Sequence, residues 1–138
     1  FYSQSTNAIS QKSLVSGADS SDFGNLTVAR QYAVGGCSTT RGVMIGGRTP
    51  ESNVIDYVTI ATTGNATDFG DISSARGQGG GASSPLIAVV AGGYSSGYGI
   101  NNIESITIST TGNSTDYGDL TGAVYGLYGV GTNHGGIS

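Results

Sequence analysis

The chain has 138 residues with 36% hydrophobic and 10% charged residues, and a net charge of −4 that includes only five basic side chains. So low a charged fraction excludes the charge-rich composition of a disordered chain and fits one ordinary domain. The scattered basic residues, Lys12, Arg30, Arg41, Arg48 and Arg76, form no stripe that could track phosphates, so nucleic acid is not an expected partner. The longest apolar run, Leu86 to Ala91, falls far short of the roughly 20 residues of a spanning helix, and membrane insertion is not expected either.

Residues 1 to 30 read as two strands of an incomplete unit. The first full unit, 31 to 76, then reads as four strands. Gln31 to Ser38 is the first and Gly42 to Gly47 the second, with a Thr-Pro-Glu-Ser turn after it. The third, Val54 to Ala61, sets Val58 and Ile60 on one side and Tyr57, Thr59 and Ala61 on the other, the period of two expected of a strand. Thr62-Thr63-Gly64-Asn65 reads as the connector, with Gly64 for backbone freedom and Asp68 for an Asx turn, before a short fourth strand from Phe69 to Ser73. Strong helix formers are scarce and no stripe at i, i+3, i+4, i+7 persists, so helices are not expected. Cys37 is the only cysteine, which rules out an internal disulfide and reads as a small buried hydrophobe.

The organisation follows from self-similarity. Ile55 to Arg76, IDYVTIATTGNATDFGDISSAR, recurs 48 positions on as Ile103 to Val124, IESITISTTGNSTDYGDLTGAV. A worn copy lies 46 positions upstream, where Ile9, Leu14, Asp22, Phe23, Gly24, Ala29 and Arg30 match Ile55, Ile60, Asp68, Phe69, Gly70, Ala75 and Arg76. A fixed period of this size marks a repeat architecture. Four strands per repeat is the unit of a β-propeller blade, so the expected fold is all-β, about three repeats of 46 to 48 residues forming four-stranded antiparallel sheets within a larger propeller. The units divide as 1–30 (partial), 31–76, 77–124 and 125–138 (partial) of one segment, 1–138. The terminal units are incomplete, so the expectation is an excerpt of a longer chain or a unit that associates with copies of itself.

The recurring positions are a double glycine ending strand two (Gly46-Gly47, Gly92-Gly93), an acid and aromatic opening strand four (Asp22-Phe23, Asp68-Phe69, Asp116-Tyr117), and an arginine closing it (Arg30, Arg76). This order resembles the kelch repeat, with Phe or Tyr where that family usually has Trp. The segment TRGVMIGG...NVIDYVTIATTGNATDFGDISSAR is similar to kelch-like repeats of structural and tail-fibre-like proteins of marine bacteriophages, cyanophages above all. The resemblance implies a non-enzymatic virion component, located in the extracellular particle, whose partners are other virion proteins or further copies of itself, or a host-surface glycan or protein. A carbohydrate-binding module, or a stretch of a kelch-type enzyme with its ligands elsewhere, is the alternative.

No cofactor is expected. His134, the only histidine, sits in a turn between Asn133 and Gly135 and reads as solvated. The Asp68/Asp71 and Asp116/Asp119 pairs with Asn65 and Asn113 are hard oxygen ligands, but turn geometry accounts for them, and no metal site is expected. Gly77 to Gly81 lacks the Lys-Ser/Thr of a phosphate loop. Asn25, Asn65 and Asn113 match the glycosylation sequon, a frequent accident in a Thr-rich chain. The weak ligand-binding candidates are in the strand two to three loops, where the repeats differ: Arg48 and Glu51 in one, and Tyr94, Ser95, Tyr98 and Asn101 in the other.

Overall fold

The computed structural model describes residues 6–15 and 17–129, so His134 lies outside the described residues. Short runs of β-branched residues broken by glycine-bearing turns fold into strands, and no helix occurs among the described residues. β1 (Thr6–Gln11) pairs with β2 (Ser21–Arg30). β3 (Val34–Cys37), β4 (Arg41–Gly47), β5 (Ser52–Thr59) and β6 (Thr67–Asp71) form a second sheet in that order. The third sheet places β7 (Gly80–Ser83), β8 (Ile87–Ala91), β10 (Tyr98–Thr107) and β11 (Thr115–Val124) side by side, with the two-residue β9 (Tyr94–Ser95) folded onto β10. Every pairing is antiparallel.

Several strand limits differ from expectation for local reasons. The first strand of the full unit is only Val34–Cys37, because Gln31 is held in an isolated bridge to Arg48 and Tyr32 takes a left-handed φ of 55°. Cys37, expected to be buried, is half-buried, and its amide donates to Ser83 Oγ at 3.2 Å. The fourth strand runs Thr67–Asp71 rather than Phe69 to Ser73. In the third strand Ile55 and Asp56, neighbours in sequence, are both fully buried because the sheet is covered on both faces, Ile55 in the core shared with the third sheet and Asp56 against Arg30 of the first, while Ile60 lies beyond the strand end and is exposed.

A β-bulge interrupts the pairing of strands three and four. Ile55 pairs with Gly70 and Asp56 with Asp68, which leaves Phe69 as the extra residue on β6. The same slip recurs at Ile9/Ser10 opposite Gly24/Asp22 and at Ile103/Glu104 opposite Gly118/Asp116, where the extra residues are Phe23 and Tyr117. A bulge re-aims side chains and sharpens twist, and here it turns the aromatic inward: Phe69 joins Val34, Val43, Ile45, Ile55, Ile72, Ala88, Val90, Ile106 and Ile108 in the core between the second and third sheets. Tyr57 packs on that cluster with its ring edge-on to Phe69, centroids 6.0 Å apart.

Successive sheets are joined by two devices, each used twice. The first is the Thr-Thr-Gly-Asn turn, which is more than the connector expected. Gly64 N donates to Phe23 O at 2.7 Å, Ala66 N to Asn25 O at 2.8 Å, and Asn65 Oδ1 accepts from Asn25 N at 3.0 Å. One unit on, Gly112 N donates to Phe69 O at 2.7 Å, Ser114 N to Asp71 O at 2.9 Å, and Asn113 Oδ1 accepts from Asp71 N at 3.0 Å. The turn of each unit thus hooks strand four of the unit before it. Gly24 and Gly70 are where the hook lands: a Cβ at either would meet the carbonyl of Gly64 or Gly112.

The second device is a buried ion pair. Arg30 Nη2 lies 2.9 Å from Asp56 Oδ2, and Arg76 Nη2 lies 2.7 Å from Glu104 Oε2, all four side chains almost wholly buried. Thr27 Oγ1 donates to Asp56 Oδ1 at 2.6 Å, and the amide of its repeat equivalent, Ser73, donates to Glu104 Oε1 at 3.0 Å. Arg76 Nη1 also donates to Asn102 Oδ1 at 3.0 Å. Burial pushes the Arg76 guanidinium below its ordinary value, and Glu104 raises it back only in part. Arg30 Nε and Arg76 Nε are buried without a hydrogen-bond partner. The pair therefore fixes which unit meets which more than it adds net stability. The double glycine makes room for it. A Cβ on Gly47 would meet the aliphatic stem of Arg30 at 2.6 Å, and one on Gly93 would sit 3.5 Å from that of Arg76.

Candidate functional site

The connections that follow these joints gather on one side of the molecule. Arg48 and Tyr94 each come directly after a double glycine, and each is bridged to the start of its own unit, Arg48 to Gln31 and Tyr94 to Gly77. These equivalent residues of adjoining units meet: the Arg48 guanidinium carbon stands 4.1 Å from the centroid of the Tyr94 ring. Tyr94 in turn meets Tyr125 edge to face at 5.2 Å, and Arg48 Nη1 donates to Gln78 Oε1 at 3.4 Å. Arg48 over the Tyr94 ring is a cation–π contact, worth roughly 0.5–1 kcal/mol where exposed, and Tyr125 packs edge-on against the same ring.

The longer loop is an ordered hairpin. β9 and the start of β10 pair through Ser95 and Tyr98, and Ser96 and Gly97 turn the chain with φ of 49° and 96°, the two positive values of a tight hairpin turn. Glu51 holds it from the neighbouring unit, both carboxylate oxygens accepting from Ser96 N at 3.1 and 3.2 Å. Of the six sequence candidates, the structure joins Arg48 directly to Tyr94, and Glu51 to the hairpin that carries Ser95 and Tyr98. Tyr98 is 76% exposed, and Asn101 is an exposed residue of β10 that makes no hydrogen bond to the others.

Beside these residues lies a hollow of about 430 Å³ that sequence reasoning missed. Its walls are three repeat-equivalent stretches, Tyr32 to Gly35, Gln78 to Gly81 and Gly126 to Gly129, with Tyr125 at the rim. They are strung together by the backbone: Gln78 N donates to Tyr32 O at 3.1 Å, and Gly126 N to Gln78 O at 2.8 Å. Tyr32, Gln78 and Gly126 share a left-handed φ of 55°, 61° and 73°, uncommon for the first two, and each turn brings the start of its unit to the hollow. Tyr32 is 55% and Tyr128 99% exposed, so phenol rings and peptide groups face the opening and no acid or base lines it. The signal was present in the sequence as three aligned unit starts, but only packing shows that they converge.

The remaining candidates have structural partners. Asn65 and Asn113 spend their carbonyl oxygens in the hooks, and Asp116 Oδ1 accepts from Gly118 N at 3.2 Å in the Asx manner expected at Asp68. No group of three or more His, Cys, Asp or Glu side chains is placed to hold a metal among the described residues. Comparison with known proteins gave no matching family model and no curated protein of significant similarity.

Proposed function

We propose that the chain is a kelch-like β-propeller segment that acts without catalysis, as a structural and adhesion component of a bacteriophage particle. Its task is to hold the face formed by Arg48, Tyr94 and Tyr125 against a host surface or another particle protein. The observation that carries the adhesive part is that face itself: aromatic, partly exposed, and held by hooks and ion pairs rather than by free loops. Tyrosine suits such contact, offering large area with few rotatable bonds to freeze. The propeller part rests on two consecutive sheets of four antiparallel strands, the second with β9 added, and on two joining devices that recur from unit to unit. The particle part rests on the resemblance of the VTIATTGNATDFGD block alone.

Mass spectrometry of purified virions tests this reading. The protein is expected among particle components, and abundance in infected cells with absence from particles overturns it. The hollow favours a second reading, a carbohydrate-binding module, because Tyr32, Tyr125 and Tyr128 offer ring faces and hydroxyls to a neutral sugar. On a glycan array that reading expects a signal that Tyr32→Ala and Tyr128→Ala each reduce by about two- to tenfold, one aromatic contact being worth roughly 0.5–1.5 kcal/mol. Uniform silence across the array removes it.

A further inference from the structure

Each of the two Thr-Thr-Gly-Asn turns stands over a recess, and the hooks explain why. The ladder of β5 and β6 closes at Tyr57 opposite Thr67, and that of β10 and β11 at Ser105 opposite Thr115. Beyond these pairs the chain is drawn off its own sheet, because the amides of Gly64 and Ala66, like those of Gly112 and Ser114, are spent on carbonyls of the unit before. The arch so formed encloses about 220 Å³ in the unit 31–76 and about 310 Å³ in the unit 77–124. The first keeps its recess with the third sheet packed after it, and the second keeps its own with the second sheet packed before it. The opening therefore belongs to the turn and not to an uncovered face.

Thr59, Thr62, Thr63 and Thr67 line the first recess, and the threonines 48 positions on line the second, all of them exposed. None of the first four makes a side-chain hydrogen bond within the described residues, and among their equivalents Thr115 alone does, with Ser105 Oγ at 3.4 Å. The hook requires Gly64 and Asn65 to recur as Gly112 and Asn113, but it makes no use of these hydroxyls. They recur nonetheless, while Ala61, Ala66 and Tyr57 around them become Ser109, Ser114 and Ser105. No charged side chain lines either recess, and the exposed Asp68 and Asp116, next to Thr67 and Thr115, disfavour an anion. Tyr57 and Val58 give the first an apolar wall, and Phe69 and Ile106 give the second one. The ligand that matches is uncharged, carries several groups that both donate and accept, and has an apolar ring edge. Ligand pockets usually measure roughly 300–1,000 Å³, so recesses of this size hold one ring and not a larger body.

We infer that the two recesses are a repeated site for a neutral saccharide, one sugar residue seated under each turn with its hydroxyls on the threonines and its ring against the apolar wall. The site goes beyond the face of Arg48 and Tyr94 and is separate from it. β5 runs from the Arg48 loop to the turn, and its eight residues put roughly 25 Å between the two. Two like sites on one chain grip a surface coated with that sugar at two points, so a weak single site suffices.

A glycan array probed with the 138-residue chain, followed by titration of the best-bound neutral oligosaccharide against isotopically labelled protein with amide shifts read by NMR, tests this. Shifts are expected in both turns together, Thr62 to Asn65 and Thr110 to Asn113. Thr63→Val and Thr111→Val keep the side-chain shape and remove one hydroxyl each. Each is expected to lower affinity at its own turn about two- to tenfold and to leave the other turn unchanged. The shift mapping uses the unaltered chain, so its outcome stands whether or not a variant folds. A silent array overturns the inference, and so does equal binding of the matching uronic acid. Shifts confined to Tyr32, Gln78 and Gly126 overturn it in favour of the hollow, and shifts confined to Arg48 and Tyr94 overturn it while leaving the adhesion reading in place.

Discussion

At the scale of single residues the fold depends on a few positions that admit one kind of side chain. Arg76 is the largest fully buried side chain, held by Glu104 and Asn102 of the next unit. Replacing it with leucine strands the Glu104 carboxylate in a dry site, and an unpaired buried charge of this kind costs about 3–5 kcal/mol. Leucine at both 76 and 104 removes the stranded charge, so the double variant is expected within about 1 kcal/mol of the original chain. Urea denaturation of the three variants checks this, and equal losses in single and double variants would refute it. Arg76→Lys is expected to be no substitute, since one ammonium cannot copy the fork that reaches both Glu104 and Asn102. Gly70 is restricted in a different way. At φ of 144°, with the Gly112 carbonyl against it, even a methyl group displaces the hook, so Gly70→Ala is expected to lower stability by about 2–3 kcal/mol on thermal denaturation.

At the scale of elements the repeated turn decides how sheets relate. The Asn113 carbonyl oxygen accepts from the Asp71 amide across the joint. Asn113→Ala leaves that amide without its partner, at about 1 kcal/mol. Hydrogen exchange is the sharper readout: the Asp71 amide is expected to lose protection, while amides of β4 and β8 keep theirs, because their bonds lie within their own sheets. The hairpin of β9 and β10 is fastened similarly by Glu51, which accepts from the Ser96 amide and so holds the turn beside Tyr94 in one place.

At the scale of the whole molecule, three antiparallel sheets follow one another in chain order and the core fills the gap between the second and third. Far-UV circular dichroism is expected to show essentially no helix, and a helical fraction above about a fifth would contradict both the repeat reading and the fold.

The residues alone determined the period, the four strands per unit, the absence of helix and the positions of the double glycine, aromatic and arginine, because those depend on local preference and on comparison of one copy with another. The pairs that hold the units together were only half legible. An acid at the second position of both IDYVTI and IESITI and an arginine closing the repeat were visible, but their distance in space was not, since Arg30 and Asp56 belong to different units and meet only when sheets pack. A period of two places Ile55 and Asp56 on opposite faces, and only the packing of a sheet on each side buries both, Ile55 beside Phe69 and Asp56 against Arg30; the bulge that carries Phe69 was also hidden. The hollow and the contact of Arg48 with Tyr94 were decided by tertiary structure for the same reason, as each is assembled from equivalent residues of adjoining units whose sequence separation says nothing of their contact until the repeated joint sets one sheet against the next.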